Sequence, residues 1–105
     1  MTPPPSKSKE CAAAKRYIDE NYNEAISLDK LAEIAHVNKY YLSHSFKKEY
    51  GSSPIDYMLK RRITEAKALL SSTDYSLIQI AEQLGFGSPA YFSKCFRKVE
   101  GISPS

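Results

Sequence analysis

The feature that most constrains this chain is an internal repeat. Placing Ser27-Leu28-Asp29-Lys30-Leu31-Ala32-Glu33 over Ser76-Leu77-Ile78-Gln79-Ile80-Ala81-Glu82 matches serine, leucine, alanine and glutamate at an offset of 49. With one extra residue in the second copy near Gly87, Tyr41 falls on Tyr91, Ser43 on Ser93, Phe46 on Phe96, Lys47 on Arg97, Lys48 on Lys98 and Gly51 on Gly101. Ser53-Pro54 then falls on Ser103-Pro104. So many ordered matches with a single gap imply two copies of one structural unit.

Each copy reads as helix, tight turn, helix. In the second, Ser76 followed by Gln79 is a capping box, and Leu77, Ile80, Ala81 and Leu84 recur at helical spacing. Gly85 supplies a residue able to take positive φ, Phe86 turns into the core, and Ser88-Pro89 provides an N-cap and first helical residue. In the first copy His36 stands where Gly85 does, as a turn residue rather than a ligand, and Asn38 supplies the cap. The second helix of each unit has an apolar face, Leu42, Ser45 and Phe46 in one and Phe92, Cys95, Phe96 and Val99 in the other. The opposite faces carry Tyr40, Ser43, His44 and Lys47, and Ala90, Ser93, Lys94 and Arg97, all at i, i+3, i+4, i+7. Gly51 and Gly101 end these helices. Ser53-Pro54 starts a long connector with its own stripe of Ile55, Met58, Leu59, Ile63, Ala66 and Leu70, and Cys11, Ala14, Ile18 and Tyr22 mark an opening helix.

These segments predict an all-α chain. Residues 1–7 read as a Pro-rich linker or appended arm, 8–52 as the first helix-turn-helix unit, 53–72 as the connector and 73–105 as the second unit. The chain stops at Ser105, just after the Ser103-Pro104 that should open a last helix, so the second unit is expected to be truncated.

A chain of 105 residues holds one ordinary domain or two very small ones sharing a core, which leaves little volume for a large ligand cavity. With 42% apolar and 26% charged residues and no long apolar run, it reads as a soluble chain with no membrane partner. The start, Met1-Thr2-Pro3-Pro4-Pro5, lacks the apolar core of a secretory signal, which points to the cytoplasm. Cys11 and Cys95 have neither CxxC spacing nor partner histidines, so they read as packing residues, and no metal or cofactor is expected. An enzyme is disfavoured because GxSxG, HExxH and P-loop motifs are absent and no acid–base constellation is apparent.

Charge is distributed unevenly. Residues 1–37 carry net −1, residues 38–62 net +4 and residues 63–105 net zero, with Lys94, Arg97 and Lys98 together without an acid among them. Such clusters are more often a solvated face than a nucleic-acid footprint, but the paired polar faces beside them favour DNA. A connector from Pro54 to Ser71 would run about 27 Å, long enough with the width of the units to hold two recognition helices about 34 Å apart, in successive major grooves. Phosphate-contact candidates are Asn38, Lys39, Lys47, Lys48, Ser88, Arg97 and Lys98. Base-contact candidates are Tyr40, Ser43 and His44 in the first unit and Ala90, Ser93 and Lys94 in the second: Lys94 can donate to guanine, His44 to an acceptor edge, and Ala90 can meet a thymine methyl.

These residues resemble the AraC/XylS transcriptional regulators over about residues 8–105. The resemblance is carried by Ile80-Ala81, Gly85-Phe86, Ser88, Tyr91-Phe92-Ser93, Phe96-Arg97-Lys98, Gly101 and Ser103-Pro104. It implies a homeodomain-like fold of about seven helices, with two helix-turn-helix units joined by a long helix. It also implies binding to double-stranded promoter DNA, activation or repression of transcription, and fusion to an effector-binding or receiver domain absent from this chain. The family's base-reading positions fall on Tyr40, Ser43, His44, Ala90 and Lys94. His44 stands where the family often has arginine, and the small Ala90 implies weak direct readout by the second unit.

Blander readings stand beside these. Tyr41, aligned with Tyr91, is expected to pack while its neighbour Tyr40 faces DNA, and Ser43 and Ser93 can back-bond to their own helices. Lys60-Arg61-Arg62 reads as a solvated or salt-bridged face with one phosphate contact at most. The alternative function is a helical interaction module contacting RNA polymerase or a partner regulatory domain.

Overall fold

The computed structural model describes residues 9–104; the Pro-rich segment 1–7 expected as a linker, with Ser8 and Ser105, lies outside the described residues. Helices alone make up its regular structure: α1 (Lys9–Asn21), α2 (Leu28–Ala35), α3 (Lys39–Tyr50), α4 (Pro54–Ser72), α5 (Leu77–Gln83) and α6 (Pro89–Glu100). Six helices among the described residues replace the seven expected, because Ser103 and Pro104 close the described chain in non-helical backbone.

Local chemistry sets the helix starts. Ser27 Oγ accepts from Lys30 N at 3.1 Å to open α2, and Asn38 Oδ1 accepts from Tyr40 N at 2.7 Å to open α3. The capping box of α5 is reciprocal: Ser76 Oγ accepts from Gln79 N at 3.2 Å while Gln79 Oε1 accepts from Ser76 N at 2.8 Å. Ser88 Oγ accepts from Tyr91 N at 3.1 Å, and Pro89 follows with no N–H left to satisfy. Each such cap is worth about 1 kcal/mol, which matters for helices as short as α2 and α5.

The same bonds close the tight turn in both copies. In the first, His36 N donates to Glu33 O at 3.2 Å and Val37 N to Ala32 O at 3.1 Å; in the second, Gly85 N donates to Glu82 O at 3.4 Å and Phe86 N to Ala81 O at 2.9 Å. This is a Schellman arrangement, and it uses the orphan carbonyls that a helix end leaves.

The described residues cluster into two compact units, 9–21 with Ile26–Met58 and Tyr22–Ala25 with 59–104. The first packs α1, α2 and α3 against one another over Cys11, Ala14, Ile18, Leu31, Ala35, Leu42 and Phe46, all buried. The Phe46 ring meets Tyr50 at 4.6 Å and Tyr57 at 5.7 Å between centroids, and Tyr57 Oη donates to Asp19 Oδ1 at 2.6 Å. In the second unit Ile63, Ala66, Ile80, Ala81, Leu84, Phe92, Cys95 and Phe96 are buried, with a run of rings from Phe86 to Phe92 at 5.0 Å and on to Phe96 at 5.9 Å. Lys67 Nζ and Glu100 pair at 3.0 Å on its surface. Truncating a ring as buried as Phe46 or Phe92 to alanine costs about 3–5 kcal/mol, a large share of what a unit this small can hold.

Two expectations need correction. Tyr22 does not continue the stripe of the opening helix: α1 ends at Asn21, whose side chain donates back to Tyr17 O at 3.0 Å, and Tyr22 clusters with the second unit under the Arg61 guanidinium, 4.7 Å from its ring centroid. Arg62 belongs to no solvated face. It is 4% exposed, because its position on α4 falls on the apolar stripe four residues after Met58 and four before Ala66.

Candidate nucleic-acid interface

A helix can enter a major groove only if one of its faces is free of its own core, and α3 and α6 each satisfy that condition. On α3, Leu42 and Phe46 are buried while Tyr40, His44, Lys47 and Lys48 are exposed and Ser43 is half-buried. On α6, Phe92, Cys95 and Phe96 are buried while Ala90, Lys94, Arg97 and Lys98 are exposed and Ser93 is half-buried. The structure therefore brings the residues singled out from the sequence onto the outer side of two equivalent helices.

Tyr40 stands 72% exposed. His44, Lys47, Lys48, Lys94 and Arg97 make no side-chain hydrogen bond or ion pair among the described residues, so their donors are available to a partner. Lys39 differs: its ammonium lies 3.3 Å from Asp29 and 5.5 Å from the Tyr40 ring centroid. An exposed pair of that kind is weak, so a phosphate can displace Asp29 at little cost. Asn38 and Ser88 already use one side-chain oxygen each as a helix cap, which leaves the Asn38 amide N–H groups and the Ser88 hydroxyl proton for an anion. Lys47 and Lys48 end α3 and Arg97 and Lys98 end α6, where positive charge also complements the helix dipole.

Tyr41 corrects the expectation that it packs. It is 49% exposed and its counterpart Tyr91 is 43% exposed, since each sits at the flank between the core stripe and the polar stripe. Tyr91 is nonetheless held on its own unit: its ring lies 6.1 Å from Phe86, and a hydrogen bond with the Cys95 thiol, then burial, raises its phenol above the usual tyrosine range. Cys95 itself is buried in the apolar stripe, as expected for a packing residue.

Arg62 is the residue that sequence reasoning missed. Its Nε donates to Tyr22 O at 2.5 Å and its Nη2 to Glu24 O at 2.8 Å, and its guanidinium carbon lies 5.5 Å from the Phe86 ring centroid. Burial lowers its pKa from the ordinary arginine value, partly offset by Tyr91 and Cys95. The signal was present in the register, because Met58, Arg62 and Ala66 lie on one helical stripe. Among the described residues no cluster of three or more His, Cys, Asp or Glu side chains could hold a metal ion, and no helix is long and apolar enough to cross a membrane.

A helix-turn-helix domain family matches residues 31–105. The uncharacterized HTH-type transcriptional regulator YisR of Bacillus subtilis is 40% identical over 101 residues, which cover 96% of this chain and 35% of that protein. The chain thus spans about a third of that curated relative's length. Among solved structures, the DNA-binding domain of AdpA, a global transcriptional factor crystallised in complex with a target DNA, is similar with a TM-score of 0.84 and 29% identity, covering 92% of this chain and 87% of that one. A transcriptional regulator from Chromobacterium violaceum, of the AraC-type DNA-binding domain-containing proteins, is similar with a TM-score of 0.80 and 32% identity, covering 90% of this chain and 85% of that one.

Proposed function

Because the chain belongs to the AraC/XylS family, as its helix-turn-helix DNA-binding domain, we propose that it binds double-stranded promoter DNA and that α3 and α6 are its two recognition helices. The observation that carries this reading is the repeated free face: Tyr40, Ser43, His44 and Lys47 on one helix, Ala90, Ser93, Lys94 and Arg97 on the other, with basic ends and open donors.

The mechanism follows from what each group can do. Lys47, Lys48, Arg97 and Lys98, with Lys39 and the helix starts at Asn38 and Ser88, neutralise and hold phosphates, which sets register without reading sequence. His44 donates to an acceptor edge and Lys94 to guanine, while Tyr40 and Ala90 make apolar contacts, Ala90 with a thymine methyl. Ser43 and Ser93 are half-buried and short, so they reach only a base brought close by their neighbours. Readout by the second unit rests mainly on Lys94, since Ala90 carries no polar group. The duplex site is bipartite, with one block for each unit in successive major grooves.

In this reading the chain is a binding module rather than an enzyme. It works in the cytoplasm as part of a longer regulator whose effector-binding or receiver domain, and any contact with RNA polymerase, lies outside the residues assigned above. The test is an anisotropy titration of the chain against duplex DNA at near-physiological salt, with His44→Ala and Lys94→Ala alongside. Weakened binding by both variants supports the assignment. Unchanged DNA affinity in both would favour the interaction-module alternative, in which the same faces contact a protein.

A further inference from the structure

The second unit contains a buried arginine that DNA binding does not use directly. The Arg62 fork spans two backbone carbonyls of the segment Tyr22–Ala25, and its guanidinium carbon lies 5.5 Å from the Phe86 ring centroid. Phe86 in turn packs at 5.0 Å on Phe92 and 6.1 Å on Tyr91, in the first turn of α6. Beside it the backbone of Gly85 comes so close to Asn23 that an added Cβ would overlap the Asn23 carbonyl, 2.9 Å from its carbon. Arg62 Nη2 lies 3.4 Å from the same added Cβ, so the turn leading into α6 rests on both the Asn23 peptide group and the guanidinium.

We propose that Arg62 is a positioning residue for DNA recognition: anchored on Tyr22 and Glu24, its guanidinium fixes Phe86 and so sets the turn from which α6 presents Ala90, Ser93 and Lys94. Arginine suits the task because only a planar fork can donate to two carbonyls while keeping a face for an aromatic ring. Lysine keeps the charge but carries its three N–H donors on one nitrogen, with neither the spread of the fork nor a planar face, and methionine keeps the apolar stem alone. The role in recognition rests on the function proposed above; the role in holding the turn does not.

Both parts are tested on Arg62→Met and Arg62→Lys, at a temperature where thermal melts show each variant folded. Amide exchange gives the DNA-independent arm. The Phe86 amide, bonded to Ala81 O, should exchange about tenfold faster in both variants, while the equivalent Val37 amide, bonded to Ala32 O, keeps its rate. Base-by-base substitution of a selected duplex gives the second arm: preference at positions that depend on Lys94 should relax about tenfold, and preference at positions that depend on His44 should persist. Equal acceleration of both amides, or an equal loss at both sets of bases, would reduce Arg62 to a stability residue and overturn the proposal. Restoration of both readouts by lysine would do the same. A wild-type chain without any duplex preference would overturn the recognition role and the DNA reading, while the exchange arm would still decide whether Arg62 holds the turn.

Discussion

His36 and Gly85 occupy one place in the two repeats and share a left-handed backbone, at φ 60° and 82°, yet the space around them differs. His36 is exposed, whereas at Gly85 a Cβ would overlap the Asn23 carbonyl. The repeat thus preserves the backbone of the turn while the two copies demand different side chains there. Gly85→Ala should combine left-handed strain with the clash and cost about 2–4 kcal/mol, whereas His36→Gly should be neutral or stabilise by up to about 1 kcal/mol. Urea denaturation of the two variants checks both signs, and equal effects at the two sites would contradict the asymmetry.

The capping box of α5 carries a second expectation. Ser76→Ala removes the acceptor of Gln79 N and leaves only the return bond from the residue-76 backbone N–H to Gln79 Oε1, so stability should fall by about 1 kcal/mol. A helix of 7 residues has little propensity to compensate. A shift in thermal midpoint of several degrees is the readout; no shift would mean that packing of Ile80 and Ala81 alone holds the helix.

Much of this architecture was legible because it is local. Ser76 with Gln79, Ser88 with Pro89, Asn38, and the residues at the two turns each act through backbone groups a few positions away, so their spacing suffices to place helix starts and stops. The apolar stripes likewise separated Leu42 and Phe46, or Phe92 and Phe96, from the polar faces beside them. What escaped depends on partners distant in sequence. The α4 stripe buries Arg62, and a charged side chain is tolerated there because Tyr22 and Glu24, some forty residues earlier, offer it carbonyls. Tyr22 leaves the first helix for the same neighbourhood, and Tyr41 stays half in solvent because a helix flank is neither core nor free face. Composition alone reads a Lys-Arg-Arg run as surface, and only its register against Met58 and Ala66 argues otherwise.

Phosphate contacts have a signature separate from base contacts. Lys47→Ala and Arg97→Ala should each weaken binding to every duplex alike and lower the slope of log affinity against log salt by about 0.9. Titrations at several salt concentrations measure this directly. An unchanged slope would remove the residue from the phosphate set.

His44 should behave differently. His44→Ala is expected to relax preference at one position of the site, at a cost on the order of 1–3 kcal/mol against the preferred base, with the salt slope nearly unchanged. A competition series with single-base variants of the site reads it out. A uniform loss across all variants would place His44 on the phosphate backbone instead.

The most direct test of the central claim is selection of bound duplexes from a random pool about 25 base pairs long, at near-physiological salt, followed by sequencing. Two enriched blocks with centres about one helical turn apart are predicted, one assigned to α3 and one to α6 by its loss in His44→Ala or Lys94→Ala. A pool that emerges without enrichment, or with a single block that both variants affect equally, would contradict tandem reading by the two units.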